Sequence, residues 1–451
     1  MEHVDVAVVG GGPAGSSAAW QAADHGANAV VFEKGVPRED RPRPGPDSTD
    51  AAGLLDYWVD LMDFGPEEIP EEVILRDISG AKFIGPEESL TLSTTGIPSQ
   101  YPEFGLAFDR AAFDDWLREE SEAAGASYRA GDAVTDVETD LDGRKPSHTL
   151  TLADGDQFEA DYLVLADGPQ RTVTIETLDQ FTPDGRQMAD VLDPSQVNHI
   201  AYQEHRRVPA GLAESDRLRF WWGHMPGHTA YPWAFPNENN ISRIGLTMPI
   251  GLDIDEFDTE EWPLLRQDDD RIPRGKEFLQ RLIDHEFPAY DLDDMPLVED
   301  RGKQGGTETY PISSTRPIES PTGANIAVVG GAMGGTSAFH EGGDHVAVRT
   351  GKIAGELAAT ESLAEYNQTW QRALDLEFSR NVTVAEMVED YGPGDWDQAF
   401  QVANIVTRNS RLKALLKSGV SGLKLLWNYK RALGRYDDGG YVQFRESEYA
   451  I

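Results

Sequence analysis

Residues 4–33 read VDVAVVGGGPAGSSAAWQAADHGANAVVFE, and this stretch decides the fold. The apolar run Val4–Val9 predicts a buried strand, and the six residues GGGPAG follow it at 10–15. A helix of small residues comes next, and a second apolar run over 28–32 ends at Glu33. The order strand, Gly-x-Gly-x-x-Gly, helix, strand and acidic residue predicts a βαβ unit that binds a dinucleotide.

Each glycine of this pattern has a separate task at such a site. Gly10 permits the tight turn, Gly12 lets a diphosphate approach the backbone, and Gly15 lets the helix pack against the strand. The first N–H groups of the helix and the helix dipole then face the diphosphate. The Glu33 carboxylate is placed to accept hydrogen bonds from ribose hydroxyls.

The composition excludes several classes of protein. The chain has 451 residues, no cysteine and a formal net charge of −40. This negative charge argues against nucleic-acid binding, and the lack of cysteine excludes disulfides, thiolate metal sites and Cys-ligated iron–sulfur clusters. Redox chemistry then requires an organic cofactor, and no metal site is predicted. Because salt screens the self-repulsion of such a chain, the charge favours a halophilic source.

The location follows from hydropathy. No apolar run approaches the ~20 residues that a membrane-spanning helix needs, and no signal peptide precedes the first strand. We therefore expect a cytoplasmic protein, with a peripheral membrane contact left open.

Three further features resemble the p-hydroxybenzoate hydroxylase-like flavoproteins. The first is the form GGGPAG itself, with its adjacent glycines and proline. The second is the FDR sequence at 108–110 that opens a helix, where the arginine of that group approaches the diphosphate; here it is Arg110. The third is YLVLADGPQR at 162–171, a strand that ends in Ala-Asp-Gly. The resemblance implies that the cofactor is FAD.

The segment 325–359 resembles the second FAD motif of the same flavoproteins. A buried strand precedes two glycine pairs, the sequence HEGGD, and a helix containing TGKIAG. Gly331 stands where the motif usually has Asp, so backbone N–H groups are expected to replace the contact of that side chain. The implied FAD contacts are Gly10, Gly12, Pro13, Ala14, Gly15, Glu33, Lys34, Arg43, Arg110, Asp167, Gly168, Gly330, Gly331, Gly342 and Gly343.

An aromatic strip marks a second region of the chain. Residues 196–250 predict successive strands of an antiparallel sheet, separated by Pro, Gly and Asn turns. Tyr231, Trp233 and Phe235 are two residues apart and therefore face one side of a strand. Phe220 and Trp222 can join them from the neighbouring strand. Such a face suits a long apolar ligand, and an ordinary sheet core remains the alternative.

The sequence YPWAFP at 231–236, followed by Gly245, resembles the Tyr-x-Trp-x-Phe-Pro motif of the geranylgeranyl reductase family of FAD-dependent oxidoreductases. The family motif continues with Gly-x-Gly, whereas Thr247 replaces the second glycine here. The resemblance covers most of residues 1–360 and implies a reductase that saturates isoprenoid double bonds. An acidic chain fits the archaeal lipid branch, whose substrate is a digeranylgeranylglycerophospholipid. The implied substrate contacts are Trp222, Tyr231, Trp233, Phe235 and Pro236.

The order of motifs predicts an α/β (α+β) fold. A Rossmann-like FAD-binding domain is interrupted by an antiparallel β-sheet substrate domain and is followed by a C-terminal helical tail. The FAD-binding segments are expected at 1–75, 105–175 and 301–360, the substrate segments at 76–104 and 176–300, and the helical region with its basic segment at 361–451.

The reaction requires a proton as well as a hydride. An isolated alkene is not electrophilic enough to accept a hydride alone, so an acid must act in a water-free site. No motif identifies this acid. The candidate proton donors are His340, Asp47, Tyr231 and an ordered water. Family members often carry a cysteine near residue 45, whereas 41–53 here reads RPRPGPDSTDAAG. The electron donor stays open between NAD(P)H and ferredoxin.

The tail reverses the charge of the chain. Residues 406–435 contain eight Lys or Arg and no Asp or Glu. A basic amphipathic segment can lie on anionic lipid, dock an acidic ferredoxin, or pack on the acidic body of the chain.

Two other functions of the chain also remain open: an FAD-dependent monooxygenase of an apolar substrate, and a flavoprotein that passes electrons to a quinone.

Overall fold

The structure is a computed structural model that describes residues 1–36, 40–41, 53–192, 199–210, 215–313, 316–408, 427–436 and 440–451. Its α-helices are α1 (Pro13–Asp24), α2 (Asp56–Leu61), α3 (Arg110–Ala123), α4 (Thr172–Asp179), α5 (Ala189–Leu192), α6 (Gly275–Glu286), α7 (Asp344–Ala359), α8 (Tyr366–Met387) and α9 (Pro393–Arg408).

The strands form three sheets. The first contains β1 (Glu2–Val9), β2 (Ala29–Glu33), β8 (Ser127–Ala130), β9 (Val134–Asp140), β10 (Ser147–Leu152), β11 (Gln157–Leu165) and β17 (Ile326–Val328). The second contains β5 (Gly80–Ile84), β6 (Ser89–Leu92), β12 (His199–Arg207), β13 (Arg217–Trp221), β14 (Tyr231–Pro236), β15 (Ile241–Pro249) and β16 (Thr307–Ile312). The third contains β3 (Gly53–Leu55), β4 (Ile74–Ile78) and β7 (Gly105–Phe108).

The first sheet brings three distant motifs to one edge. Strands β8, β2, β1, β11 and β17 lie side by side and run parallel. The carboxyl ends of β1, β11 and β17 are therefore neighbours, and Gly10, Asp167 and Gly330 follow them closely. Ligands of open α/β sheets bind outside the carboxyl ends of the strands. The predicted α/β fold is confirmed, and the nucleotide site at its first turn stays a prediction.

The second sheet has the order β16, β12, β15, β14, β13, β5 and β6. Its pairs are antiparallel, as the sequence predicts, except that β13 pairs with β5 in parallel. A parallel pair needs a long crossover, and here that connection includes much of the FAD-binding region. Because β16 pairs with β12, the sheet continues beyond the predicted boundary at residue 300.

Helices α1 and α7 meet through small residues. A Cβ added at Gly351 would lie 2.1 Å from the carbonyl oxygen of Ala14, and one at Gly355 would lie 2.0 Å from that of Ala18. Each glycine thus lets the backbone of α7 contact that of α1, which starts at the glycine-rich turn. This contact holds the turn against the segment that follows β17.

The C-terminal region returns to the first domain. Helices α8 and α9 agree with the helical tail expected after residue 360. The last residues, however, re-enter the core beside β17, where Tyr441, Phe444 and Tyr449 are buried. Most of the basic segment 406–435 lies outside the described residues. Among the described helices, none combines the length and the apolar character needed to cross a bilayer.

Candidate functional site

The first turn has the geometry that a dinucleotide site requires. Gly10 has a φ of +99°, and a Cβ there would lie 2.4 Å from the carbonyl oxygen of Ala166. A Cβ on Gly15 would lie 1.9 Å from the carbonyl oxygen of Gly10, whereas one on Gly12 would meet no atom within 4 Å. Gly10 and Gly15 are therefore packed tightly, and Gly12 faces open space at the N-terminus of α1. That space fits a diphosphate approached by backbone N–H groups.

Glu33 lies directly beside this turn. One of its carboxylate oxygens accepts a hydrogen bond from the Gly11 N–H at 2.7 Å, and the other accepts one from the Gly35 N–H at 2.6 Å. The next residue, Lys34, approaches the side chain of Gln170 at 3.3 Å. The carboxylate thus joins the first turn to the end of β2, where the sequence predicts the ribose.

We expect Glu33→Ala to weaken FAD binding about 10- to 100-fold, because hydrogen bonds to a charged group contribute about 1.5–3 kcal/mol. Titration of apoprotein with FAD, followed by flavin fluorescence, measures the change. Glu176→Ala removes an exposed carboxylate of α4, a helix that packs on the first sheet, and should leave the affinity unchanged. An unchanged affinity of the Glu33 variant would remove this residue from the cofactor site.

Arg110 connects α3 to the start of α7. Its guanidinium is buried, and it forms ion pairs with Asp114 at 2.8 Å and with Asp344 at 3.0 Å. Asp344 is the first residue of α7 and directly follows the pair Gly342-Gly343. The arrangement places Arg110 beside that glycine pair. Its predicted contact with the diphosphate stays a prediction.

Asp167 acts within the protein as a helix cap. Its carboxylate accepts hydrogen bonds from the N–H groups of Val173 and Thr174 at 2.8 and 3.1 Å, and from the Thr174 hydroxyl at 2.5 Å. Burial raises the pKa of this carboxyl. Asp167 therefore shapes the turn at Gly168, which has a φ of +75°, and the backbone of this turn is left to face a ligand.

The segment 329–343, which we call the glycine loop, joins β17 to α7. The N–H of Gly330 donates to the Thr350 hydroxyl at 3.0 Å. The guanidinium of Arg171, which is fully buried, donates to the carbonyl oxygens of Ala332 and Gly331 at 3.2 and 3.3 Å. The N–H groups of Gly330, Gly335 and Gly342 donate to acceptors within the protein, so the predicted contacts of Gly330 and Gly342 with FAD stay predictions. Sequence reasoning did not identify Arg171.

His340 lies in a buried polar cluster on the glycine loop. Its Nδ1 accepts a hydrogen bond from the Gly342 N–H at 3.2 Å, and its Nε2 lies 3.4 Å from Glu377. Glu377 also contacts His345 at 3.1 Å and Tyr57 at 3.1 Å. Burial lowers the pKa of His340. Burial alone would raise the pKa of Glu377, but hydrogen bonds from His340 and His345 hold it well below its usual value.

Nε2 of His340 faces α8, where it lies 3.4 Å from Glu377 and 3.3 Å from Nδ2 of Asn381. With Nδ1 acting as an acceptor, the neutral ring carries its hydrogen on Nε2, on the side of α8. This geometry favours a positioning role for His340 in the glycine loop. The catalytic role predicted from sequence has no support from these contacts, and Asp47 and Arg43 lie outside the described residues.

The aromatic face is formed by Phe220, Trp222, Tyr231, Trp233 and Phe235. The rings of Trp222 and Tyr231 stack at 4.3 Å, and those of Trp233 and Phe235 stack at 6.2 Å. A Cβ on Gly245 would lie 2.6 Å from the ring of Trp233. The glycine after the YPWAFP motif thus makes room for that ring on β15.

Pro236 does not share this face. Side chains alternate along β14, and Pro236 lines a small cavity with Ala234 and Phe287 on the opposite side of the sheet. Pro236 therefore projects away from the predicted substrate surface. The other four predicted contacts share the face.

The aromatic face meets the glycine loop directly. The ring of Trp222 stacks on that of Phe339 at 5.0 Å with an interplanar angle of 8°. The Tyr231 hydroxyl donates to the carbonyl oxygen of His340 at 2.8 Å. The predicted substrate surface and the predicted FAD surface are therefore neighbours.

Glu341, which sequence reasoning missed, also lies at this junction. Its side chain is 3% exposed, and its backbone is left-handed with a φ of +58°. The carboxyl accepts hydrogen bonds from the hydroxyls of Thr247 and Thr229, and it lies 3.3 Å from Nε2 of His199. Burial raises the pKa of Glu341 to about 8. The only local signal was its position before Gly342-Gly343.

Comparisons with known proteins agree with this geometry. Residues 3–208 match the FAD binding domain family. Digeranylgeranylglycerophospholipid reductase 2 of Methanococcoides burtonii is 24% identical over 95% of this chain and 95% of its own length. Digeranylgeranylglycerophospholipid reductase 1 of Methanosphaera stadtmanae is 26% identical over 54% of this chain, a match that spans 55% of that protein.

A solved structure shares the fold over nearly the whole chain. It is a geranylgeranyl bacteriochlorophyll reductase-like protein from Thermoplasma acidophilum, with a TM-score of 0.67, 20% identity, and coverage of 97% of this chain and 99% of that chain. The cofactor is FAD, as the first turn, the glycine loop and the matched family require. The chain is therefore an FAD-dependent oxidoreductase that is similar over most of its length to digeranylgeranylglycerophospholipid reductases, and its fold is similar to that of a geranylgeranyl bacteriochlorophyll reductase-like protein.

Proposed function

We propose that this chain is an FAD-dependent reductase that saturates the geranylgeranyl double bonds of a membrane lipid, a digeranylgeranylglycerophospholipid. The observation that carries the proposal is the contact between the aromatic face and the glycine loop, through Trp222 on Phe339 and Tyr231 on the His340 carbonyl. An apolar chain laid along this face reaches the loop that is predicted to hold the cofactor. The names of the relatives support the same substrate.

Saturation of a double bond requires a hydride for one carbon and a proton for the other. Reduced FAD, when bound, supplies a hydride to one alkene carbon and is left oxidised. The protein has to hold the apolar chain, exclude water and deliver a proton to the other carbon. The aromatic face is the surface suited to the first two functions, because its rings are apolar and lie beside the glycine loop; Trp396 and Phe400 of α9 pack on it.

The lipid must also reach the site from a bilayer. We propose the basic segment 406–435 as the contact with anionic lipid. Its positive charge on a chain of net charge −40 supports this role, and Trp427 within it is 59% exposed. An acidic ferredoxin is the alternative partner of the same segment. We propose a halophilic origin from the charge, and experiments on the protein therefore require high salt.

The test is an anaerobic single turnover. Holoprotein reduced with dithionite is mixed with a digeranylgeranyl phospholipid, while flavin absorbance and product mass are followed together. We expect flavin reoxidation with a gain of two hydrogens for each double bond saturated. A flavin that stays reduced until oxygen or a quinone is admitted would contradict the proposal and favour the monooxygenase or the quinone-reducing alternative.

A variant of the aromatic face checks the substrate surface. Phe235→Ala should raise KM for the lipid about 10-fold or more, because apolar contacts of this size discriminate by about 1–3 kcal/mol. Phe257→Ala removes a half-buried ring from the cluster on the opposite side of the same sheet and serves as the matched control. Equal KM values for the two variants would place the substrate elsewhere.

A further inference from the structure

We propose that Glu341, in its protonated form, is the acid that delivers the proton to the alkene, a role that rests on the reductase function proposed above. The carboxyl belongs to the glycine loop and lies against the sheet that carries the aromatic face. It is therefore a proton donor placed between the predicted hydride source and the predicted substrate surface.

The position of Glu341 relative to the sheet follows from strand register. Thr247 is paired with Tyr231 across β14 and β15, and it lies two residues after Gly245, against which Trp233 packs. Because side chains alternate along a strand, Thr247 projects on the aromatic face. Its hydroxyl donates to Glu341, so the carboxyl lies at the end of that face beside Tyr231.

The surroundings keep the proton on the carboxyl. Among the described residues, no Lys or Arg forms an ion pair with Glu341, and its partners are two threonine hydroxyls and His199. Nε2 of His199 lies 2.9 Å from the carbonyl oxygen of His228, so this nitrogen carries the hydrogen. Burial lowers the pKa of His199, and the ring is neutral. A buried carboxyl without a cationic partner retains its proton.

The backbone of Glu341 points to the same role. A left-handed conformation is unfavourable for a residue with a long side chain, and glycine, which stands at the next two positions, would adopt it without strain. Strained residues of this kind cluster at functional sites. Thr247 adds a second indication, because the related motif has glycine at this position and the substituted threonine donates to Glu341.

The other acidic groups near this junction are less suited to donate a proton to the alkene. The Tyr231 hydroxyl donates to the His340 carbonyl, and burial raises its pKa well above the usual value. Nε2 of His340 faces Glu377 and Asn381. Glu341 combines a proton available near neutral pH with a position on the aromatic face.

The proposed step is balanced. The π electrons of the alkene form a C–H bond with the Glu341 proton as the O–H bond breaks, and the hydride from reduced FAD completes the second carbon. Glu341 is left as a carboxylate, the flavin is left oxidised, and solvent returns one proton to the carboxylate before the next turnover.

The test compares Glu341→Gln with the wild type in the anaerobic single turnover. We expect lipid-dependent flavin reoxidation to slow by about 100-fold or more, as for the loss of a general acid, with unchanged FAD content and an unchanged rate of reduction by dithionite. In the wild type the rate should fall above pH 8, near the pKa of Glu341. Thr247→Val removes a hydrogen bond that lowers this pKa and should move the fall to higher pH.

Infrared spectroscopy gives a readout that does not depend on turnover. A carbonyl band of a protonated carboxyl should be present at neutral pH, disappear as the pH passes about 8, and be missing in Glu341→Gln. A wild-type enzyme that reduces the lipid while Glu341→Gln does so equally fast would overturn the acid role alone. A wild type that does not reduce the lipid would overturn the reductase function, and the acid role with it.

Discussion

Gly355→Ala should destabilise the protein by about 3 kcal/mol or more, the upper end of the range for overpacked cores. The added Cβ would lie 2.0 Å from the carbonyl oxygen of Ala18 and 2.8 Å from its carbonyl carbon. Backbone atoms cannot rotate away as a side chain can, so α1 and α7 have to separate. Because α1 begins at the dinucleotide turn, we also expect the purified variant to retain much less FAD.

A helical glycine elsewhere provides the matched control. Gly394 lies in α9, and a Cβ there would meet no atom within 4 Å. Gly394→Ala should therefore be neutral or stabilise the protein by up to about 1 kcal/mol, through helix propensity alone. Urea unfolding in high salt and the ratio of flavin to protein absorbance measure both effects. Similar unfolding free energies for the two variants would show that the α1–α7 contact tolerates a methyl group.

The stability of the protein should fall as the pH rises from about 4.5 to about 8, because of Glu341. The folded protein holds this proton up to the pKa of about 8, whereas the ordinary value is 4.5. Between these values only the folded state binds the proton, so the unfolding free energy decreases with pH. The whole difference corresponds to about 4–5 kcal/mol, of which about 2 kcal/mol is lost between pH 6.5 and pH 8.

Between pH 6.5 and pH 8, the pH dependence of the unfolding free energy reports Glu341 without contributions from its titratable neighbours. His199, whose pKa burial lowers, contributes in the opposite direction and only below its ordinary value of 6.5. Tyr231 stays uncharged throughout, because burial raises its pKa. Urea unfolding of wild type and Glu341→Gln at a series of pH values should therefore show the extra slope in the wild type only. Parallel curves above pH 6.5 would contradict a protonated Glu341.

The predictable part of the fold came from patterns that are complete within a few residues. The first turn requires Gly10 and Gly15 because of backbone contacts that any dinucleotide turn makes, so residues 4–33 were sufficient. The alternation of Tyr231, Trp233 and Phe235 likewise needs only the geometry of one strand. Applying that alternation consistently would also have excluded Pro236.

The features of the fold and of the site that local patterns do not predict depend on contacts between residues that are distant in the sequence. The parallel pairing of β5 with β13 joins residues 80–84 to 217–221, and no local pattern specifies it. Glu341 is identified by Thr229, Thr247 and His199, which come from other parts of the chain. The FAD contacts of Arg110 and Asp167 stay predictions, and the local motifs did not specify their partners within the protein.

The contact of α1 with α7 has a consequence for biosynthesis. The small-residue surface of α1 emerges from the ribosome early, yet Gly351 and Gly355, which cover it, follow more than 300 residues later. The aromatic residues Tyr441, Phe444 and Tyr449, which belong to the same core, follow later still in the sequence. Contacts between such distant segments form slowly and leave apolar surface uncovered meanwhile. The core around the first sheet therefore stays incomplete until residues 351–355 and 441–449 have been synthesised.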